Sequence, residues 1–181
     1  MDKYCMCEKL GLLARDGKST CMQCGGIDAY GSRNRRNVPG VDMLIQVEEI
    51  AKEAHKGQKR WSGAEYWTHP AAVALSFPDD AYDYKIVAWL HDVLEDTEYT
   101  PTMLLDLGIP EHLVGAVMGM TKREGQNYYD FIIQVSKNKI ATVVKIADIN
   151  HNMSDLKEGS LKDKYRLAKH VLETFIKQDL L

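Results

Sequence analysis

His91-Asp92-Val93-Leu94-Glu95-Asp96-Thr97, entered through the apolar run Tyr84-Lys85-Ile86-Val87-Ala88-Trp89-Leu90, is the stretch on which the reading of this chain turns. At about 100° per residue, His91, Asp92, Glu95 and Asp96 fall within an arc of roughly 140° if one helix carries them all. An imidazole and three carboxylates then share a face. They crowd a helix C-terminus, where the macrodipole is negative and each exposed acid is unfavourable by roughly 0.3–1 kcal/mol. A bound metal ion or an arginine would offset that charge. The alternative is a solvated acidic helix end followed by a turn. The buried-looking run directly ahead of His91 speaks against it.

The 181 residues suffice for one domain with a substantial core and a small appendage. A net charge of −3 leaves no broad electrostatic footprint for duplex DNA or RNA, so no nucleic-acid partner is expected. Small anionic ligands remain open, since they need only a local cationic pocket. No apolar run is long enough to cross a bilayer, and Met1-Asp2-Lys3-Tyr4-Cys5 begins no secretory apolar core. The expectation is a cytoplasmic protein with reduced thiols and no membrane partner.

All four cysteines stand at the start, as Cys5-x-Cys7 and Cys21-x-x-Cys24-Gly25-Gly26. Two close pairs separated by a loop suit a structural Zn²⁺ knuckle. Four thiolates close a tetrahedral shell, and the glycines let the backbone turn beside the ion. Two disulfides are the alternative. The polar stretch that follows, with Arg33, Arg35 and Arg36 ahead of Pro39-Gly40, reads as a linker. The expected division is therefore 1–37, a four-cysteine zinc knuckle with a basic linker, and 38–181, a helical domain.

From Asp42, a candidate N-cap, apolar residues recur at helical spacing through Leu44, Val47, Ala51 and Ala54, with Gly57 as the stop. A donor-rich loop follows, then Tyr66-Trp67-Thr68-His69-Pro70, where proline opens a new helix and holds His69 at its N-terminal edge. Further helices are predicted from Pro101, from Pro110 to about Met120, from Asn127 to about Ser136, from Ile140 to Met153 and from Leu161 to Gln178. Asp148 lies among the apolar Ala141 and Val144 with Asn152 one turn on, so it needs a partner. Lys145 on the surface is the plain choice for that partner. No period-two alternation runs long enough for a sheet, and the fold class is all-α.

Gathered together, His69, His91, Asp92 and Asp148 make a nitrogen and oxygen set from three helices, suited to Mn²⁺, Fe²⁺ or Zn²⁺ and to hydrolysis. Their order, His, then His-Asp, then Asp, resembles the HD-domain metal phosphohydrolases, whose fold is a helical bundle. The resemblance extends to Ala54-His55-x-Gly57-Gln58-x-Arg60-x-Ser62-Gly63, Tyr66-x-x-His69-Pro70, Leu90-His91-Asp92-Val93-Leu94-Glu95-Asp96-Thr97 and Val144-Lys145-x-Ala147-Asp148-x-x-His151-Asn152-Met153. These look like the hydrolase domain of the RelA/SpoT alarmone enzymes of the stringent response, including small hydrolase-only members similar to metazoan SpoT homologues. The match covers roughly residues 41 to 170 and leaves out the cysteines.

That resemblance implies removal of the 3′-pyrophosphate from ppGpp and pppGpp with one Mn²⁺. It implies His69, His91, Asp92 and Asp148 as metal ligands, and Glu95 and Asp96 as the residues that orient and activate water. Arg60 and Ser62 would meet the guanine base, Lys122 and Arg123 the phosphates, Asn152 the sugar and phosphates, and Tyr165 the length of the nucleotide. The chain departs from the family pattern at Trp61, Glu65 and Leu161, where a basic residue, a proline and an arginine are usual. These departures keep open a phosphohydrolase for another nucleotide, such as a deoxynucleotide, a cyclic nucleotide or NADPH. A third reading is a nucleotide- or protein-binding module whose cysteine segment docks a protein partner. Retention of Glu95 and Asp96 argues against it, since binding alone needs no water-activating pair.

Overall fold

In the computed structural model, residues 40–178 are described. Cys5, Cys7, Cys21 and Cys24, read above as a zinc knuckle, lie outside the described residues. Those described form nine helices: α1 Val41–Ala54, α2 Thr68–Leu75, α3 Tyr82–Leu90, α4 Val93–Asp96, α5 Pro101–Asp106, α6 Glu111–Met120, α7 Tyr128–Val135, α8 Lys139–Asp155 and α9 Ser160–Gln178. There is no strand among the described residues, apart from an isolated antiparallel bridge between Lys59 and Glu65.

Local sequence sets most of the boundaries. Thr100 accepts from the Met103 amide and Pro101 opens α5, while Asn127 and Asn138 accept from the Asp130 and Ala141 amides at the heads of α7 and α8. Each such cap contributes about 1 kcal/mol. Asp42, expected as an N-cap, instead sits in the first turn of α1, where its charge still faces the positive end of the helix. Gly57, at φ +80°, ends the turn that follows α1.

The long helix α8 packs against α2, α3, α6, α7 and α9 and is the axis of the bundle. Helix α3 is enclosed by α2, α6 and α8. That enclosure is why Ile86, Val87, Ala88, Trp89 and Leu90 are all buried, with no polar stripe among them. Helix α6 buries Leu113, Val114, Ala116, Val117 and Met120, the one-sided pattern of a surface helix. Leu90 is fully buried beside His91. Its truncation to alanine would cost about 2–5 kcal/mol, through lost burial and the cavity left behind.

The structure corrects one expectation. The helix carrying His91 does not run on through Asp96. It ends at His91, and Asp92, at φ −100° and ψ −8°, precedes the separate one-turn helix α4. The Asp92 carbonyl restarts the ladder, accepting from the amides of Glu95 at 3.2 Å and Asp96 at 2.9 Å. Glu95 and Asp96 are therefore part of a fresh turn rather than the end of a long helix. The macrodipole penalty inferred from a continuous helix does not apply to them.

Candidate metal centre

Three helices bring their polar residues to one point. His69 is in the first turn of α2, His91 and Asp92 fill the break between α3 and α4, and Asp148 faces inward from α8. His69, His91 and Asp148 are buried, although each carries a polar side chain. His69 Nε2 lies 3.2 Å from His91 Nε2 and 3.0 Å from Asp148 Oδ1. Asp92 Oδ2 lies 3.2 Å from His91 Nε2 and 3.7 Å from His69 Nε2. His91 Nε2 is 3.6 Å from Asp148 Oδ1. Ligands about 2.0–2.2 Å from a common ion stand roughly 3 Å apart when they subtend right angles at it. The donor set and its spacing therefore fit a divalent ion. His69, His91 and Asp92 form a group with all ligand atoms within 4.8 Å of one another.

Further contacts hold these donors in place. His91 Nδ1 donates to the Ala88 carbonyl at 2.7 Å, leaving Nε2 to face the centre. Asp148 divides its two oxygens. Oδ2 takes the Lys145 ammonium at 2.8 Å, and Oδ1 faces the histidines while accepting from Asn152 Nδ2 at 2.7 Å. The Tyr66 hydroxyl is 2.8 Å from Asp92 Oδ2 and 3.1 Å from Asp96 Oδ2, which ties the α4 turn to the group. Glu95 points elsewhere: its Oε2 accepts from the Lys122 amide at 2.8 Å. Gln58 donates to the Asp96 carbonyl at 2.9 Å and meets the buried His55 ring at the same distance.

Charge follows this geometry. Burial would raise the Asp148 carboxyl, but Lys145 and the two imidazoles hold it well below the usual range. Burial likewise opposes the charged forms of Asp92 and His91. The attraction between them prevails, so Asp92 is lowered and His91, also facing Asp148, is raised to about 10. Glu95 and Asp96 go the other way. Partial burial, with Asp92 nearby, holds both carboxyls above their ordinary value. Burial and the adjacent carboxylates also push the Tyr66 phenol up, so its hydroxyl stays a donor.

The remaining residues read from sequence are spread around this centre. Arg60 is clasped by Asp155 at 2.6 Å, in a loop closed by the Lys59–Glu65 ion pair and by bonds of 2.9 Å from Arg60 N to Ala64 O and from Gly63 N to Arg60 O. Glu65, where the family pattern has proline, thus supplies the anion that fastens this loop. Ser62 and Trp61 are exposed at its tip. Lys122 offers its amide to Glu95, Arg123 is exposed, and Asn152 is engaged with Asp148. Tyr165 is half-buried, its ring 6.4 Å from that of Tyr128. Leu161 is exposed at the start of α9. Lys145 does pair with Asp148, as expected, but it lies half-buried over the Phe131 ring rather than on the surface. The sequence reading gave no role of their own to Tyr66 or His151. Their only local signals are spacings of three residues, from Tyr66 to His69 and from Asp148 to His151.

No protein-family model matches the chain. It is 36% identical over 140 residues to the guanosine-3′,5′-bis(diphosphate) 3′-pyrophosphohydrolase of Haemophilus influenzae, covering 70% of this chain and 20% of that protein. It is 34% identical over 149 residues to the bifunctional (p)ppGpp synthase/hydrolase SpoT of Escherichia coli K12, covering 75% of this chain and 21% of that protein. The chain thus spans about a fifth of the length of these curated relatives. Its fold is similar to the solved structure of a metazoan orthologue of SpoT described as hydrolysing ppGpp, with a TM-score of 0.56 at 19% identity, over 76% of this chain and 95% of that one. The chain is thus similar in sequence to a segment of these longer proteins and similar in fold to the metazoan orthologue.

Proposed function

We propose that this chain is a metal-dependent hydrolase that removes the 3′-pyrophosphate from ppGpp and pppGpp. The observation that carries the reading is the convergence of His69, His91, Asp92 and Asp148 at the spacing of one ion's ligands, with Asp96 one hydroxyl away. The activity named for the relatives and for the similar structure supports the choice of substrate. The ion proposed is Mn²⁺, since two imidazoles and two carboxylates with open positions suit it. When bound, such an ion acidifies a water and offsets charge on a phosphate oxygen.

The chain's own residues have separable tasks in this reading. His69, His91, Asp92 and Asp148 hold the ion. Asp96 and Glu95 orient the water and take its proton, and their raised affinity for a proton suits that task. The water oxygen bonds to the phosphorus next to the ribose 3′ oxygen. The bond between that phosphorus and the 3′ oxygen breaks, releasing pyrophosphate, and the proton taken from the water passes to that oxygen to leave a 3′ hydroxyl. Arg60 and Ser62 face the base, Lys122 and Arg123 offset phosphate charge, Asn152 contacts the sugar and phosphates, and Tyr165 lies along the nucleotide. The exposed Trp61 beside Arg60 is a second aromatic surface for a base. Residues 1–37 form a four-cysteine zinc knuckle with its linker, and residues 38–181 form the catalytic domain.

The test is incubation of the purified chain with ppGpp and Mn²⁺, with chromatography of the nucleotide and separate assays for pyrophosphate and orthophosphate. GDP and pyrophosphate in equal amounts, lost on chelation, are expected. Orthophosphate release, or turnover only of deoxynucleotides, cyclic nucleotides or NADPH in a parallel panel, would replace the proposed substrate.

A further inference from the structure

His69 and His91 are supported in different ways. Behind His91, the Ala88 carbonyl oxygen stands 2.7 Å from Nδ1. A carbonyl can only accept, so Nδ1 must carry a hydrogen, and it is Nε2 that must offer the lone pair to an ion. Behind His69 stands a second imidazole. His69 Nδ1 is 2.7 Å from His151 Nδ1, with ring centroids 4.8 Å apart and planes inclined by 37°. At that distance one nitrogen must donate and the other accept. Two facing lone pairs, or two facing N–H groups, would repel.

Valence then decides the direction of the bond. His69 Nε2 is the nitrogen that faces His91 Nε2, Asp92 Oδ2 and Asp148 Oδ1. To serve an ion it must offer a lone pair, which places the hydrogen of a neutral His69 on Nδ1. His151 Nδ1 must then be the acceptor. His151 lies three residues beyond Asp148 on α8, so the helix that supplies one ligand also supplies the support of another.

We infer that His151 is a positioning residue for the metal centre, whose Nδ1 lone pair fixes His69 in the Nδ1–H tautomer and aims its Nε2 at the ion. This rests on the metal reading proposed above and adds to it a residue that touches neither ion nor substrate. Outer-shell partners of ligating histidines typically account for about 10–100-fold in metal affinity. Most are carboxylates, carbonyls or water, and of these a carboxylate or a carbonyl cannot turn from acceptor to donor as an imidazole can.

The test measures Mn²⁺ affinity by electron paramagnetic resonance titration of the full chain, beside the melting temperature of the metal-free protein. His151→Leu keeps bulk but removes the acceptor, and affinity is expected to fall by about 10–100-fold. His151→Asn places an amide oxygen near the position of Nδ1, and affinity close to wild type is expected. That rescue separates tautomer control from packing, because leucine and asparagine both remove the ring. Wild-type affinity in His151→Leu would overturn the inference and leave the metal reading intact, as would equal loss in both variants. Absence of Mn²⁺ binding by the wild-type chain would overturn the metal reading and the role of His151 with it.

Discussion

Asp148→Asn tests the centre most directly, because one carboxylate serves two partners. Its Oδ2 meets the Lys145 ammonium at 2.8 Å, and its Oδ1 lies 3.0 Å from the ligating nitrogen of His69. The substitution keeps the shape and some hydrogen bonding but removes the charge. Breaking a buried ion pair from one side costs about 3–5 kcal/mol, since it leaves a buried charge uncompensated. The amide oxygen still accepts from Lys145, so the low end, about 3 kcal/mol, applies. For a domain of this size each kcal/mol moves Tm by about 3–4 °C, so the metal-free variant should melt roughly 10 °C below wild type. Mn²⁺ at a hundred times its Kd should stabilise wild type by about a further 2.7 kcal/mol, and the variant should gain none of this. Scanning fluorimetry with and without Mn²⁺ should therefore show a gap that widens to roughly 20 °C. Adding Lys145→Met should recover metal-free stability, because the stranded cation is gone, without restoring metal binding. A Tm equal to wild type in both conditions would refute the reasoning at both partners.

Two further outcomes follow from other parts of the chain. In Glu95→Gln and Asp96→Asn, turnover of ppGpp should fall by roughly 10²–10⁴-fold while Mn²⁺ stoichiometry holds, since neither belongs to the proposed ligand set; loss of Mn²⁺ would make them ligands, and normal turnover would leave them a solvated acidic turn. In the full chain, Cys21→Ser with Cys24→Ser should remove one zinc by elemental analysis and leave Mn²⁺ binding unchanged; unchanged zinc content would end the knuckle reading.

Much of this architecture is legible in the chain because it rests on local rules. Asn127 caps α7 and Pro101 opens α5 through contacts within one turn. Asp148 stands out because an acid among Ala141 and Val144 has no reason to be there unless something holds it. The break at His91 carries no such mark. Neither glycine nor proline interrupts the run, and the turn is set where α3, enclosed by three helices, delivers His91 into the bundle. Tyr66 is silent for a related reason. Its partners Asp92 and Asp96 lie 26 and 30 residues away, and Arg60 finds Asp155 across 95 residues. Such pairs form only once the bundle has closed, so no window of sequence contains them.

The break at His91 also explains how four ionisable groups can share so dry a place. The turn sets Asp92 Oδ2 3.2 Å from His91 Nε2 and under the Tyr66 hydroxyl. The centre then holds two carboxylates, Asp92 and Asp148, against the Lys145 ammonium and an imidazole raised to about 10 by those same carboxylates. The buried carboxylates thus face cationic partners among the protein's own groups. Binding of a divalent ion would displace the histidine proton at Nε2, the atom the Ala88 carbonyl has already turned inward. Lys145 sits on the far oxygen of Asp148, which leaves the near oxygen aimed at the histidines. Under the proposed function, His91 and the pair Glu95 and Asp96 stand on different sides of one backbone turn. His91 closes α3, whereas on α4 Asp96 meets the group through the Tyr66 hydroxyl and Glu95 turns to the Lys122 amide.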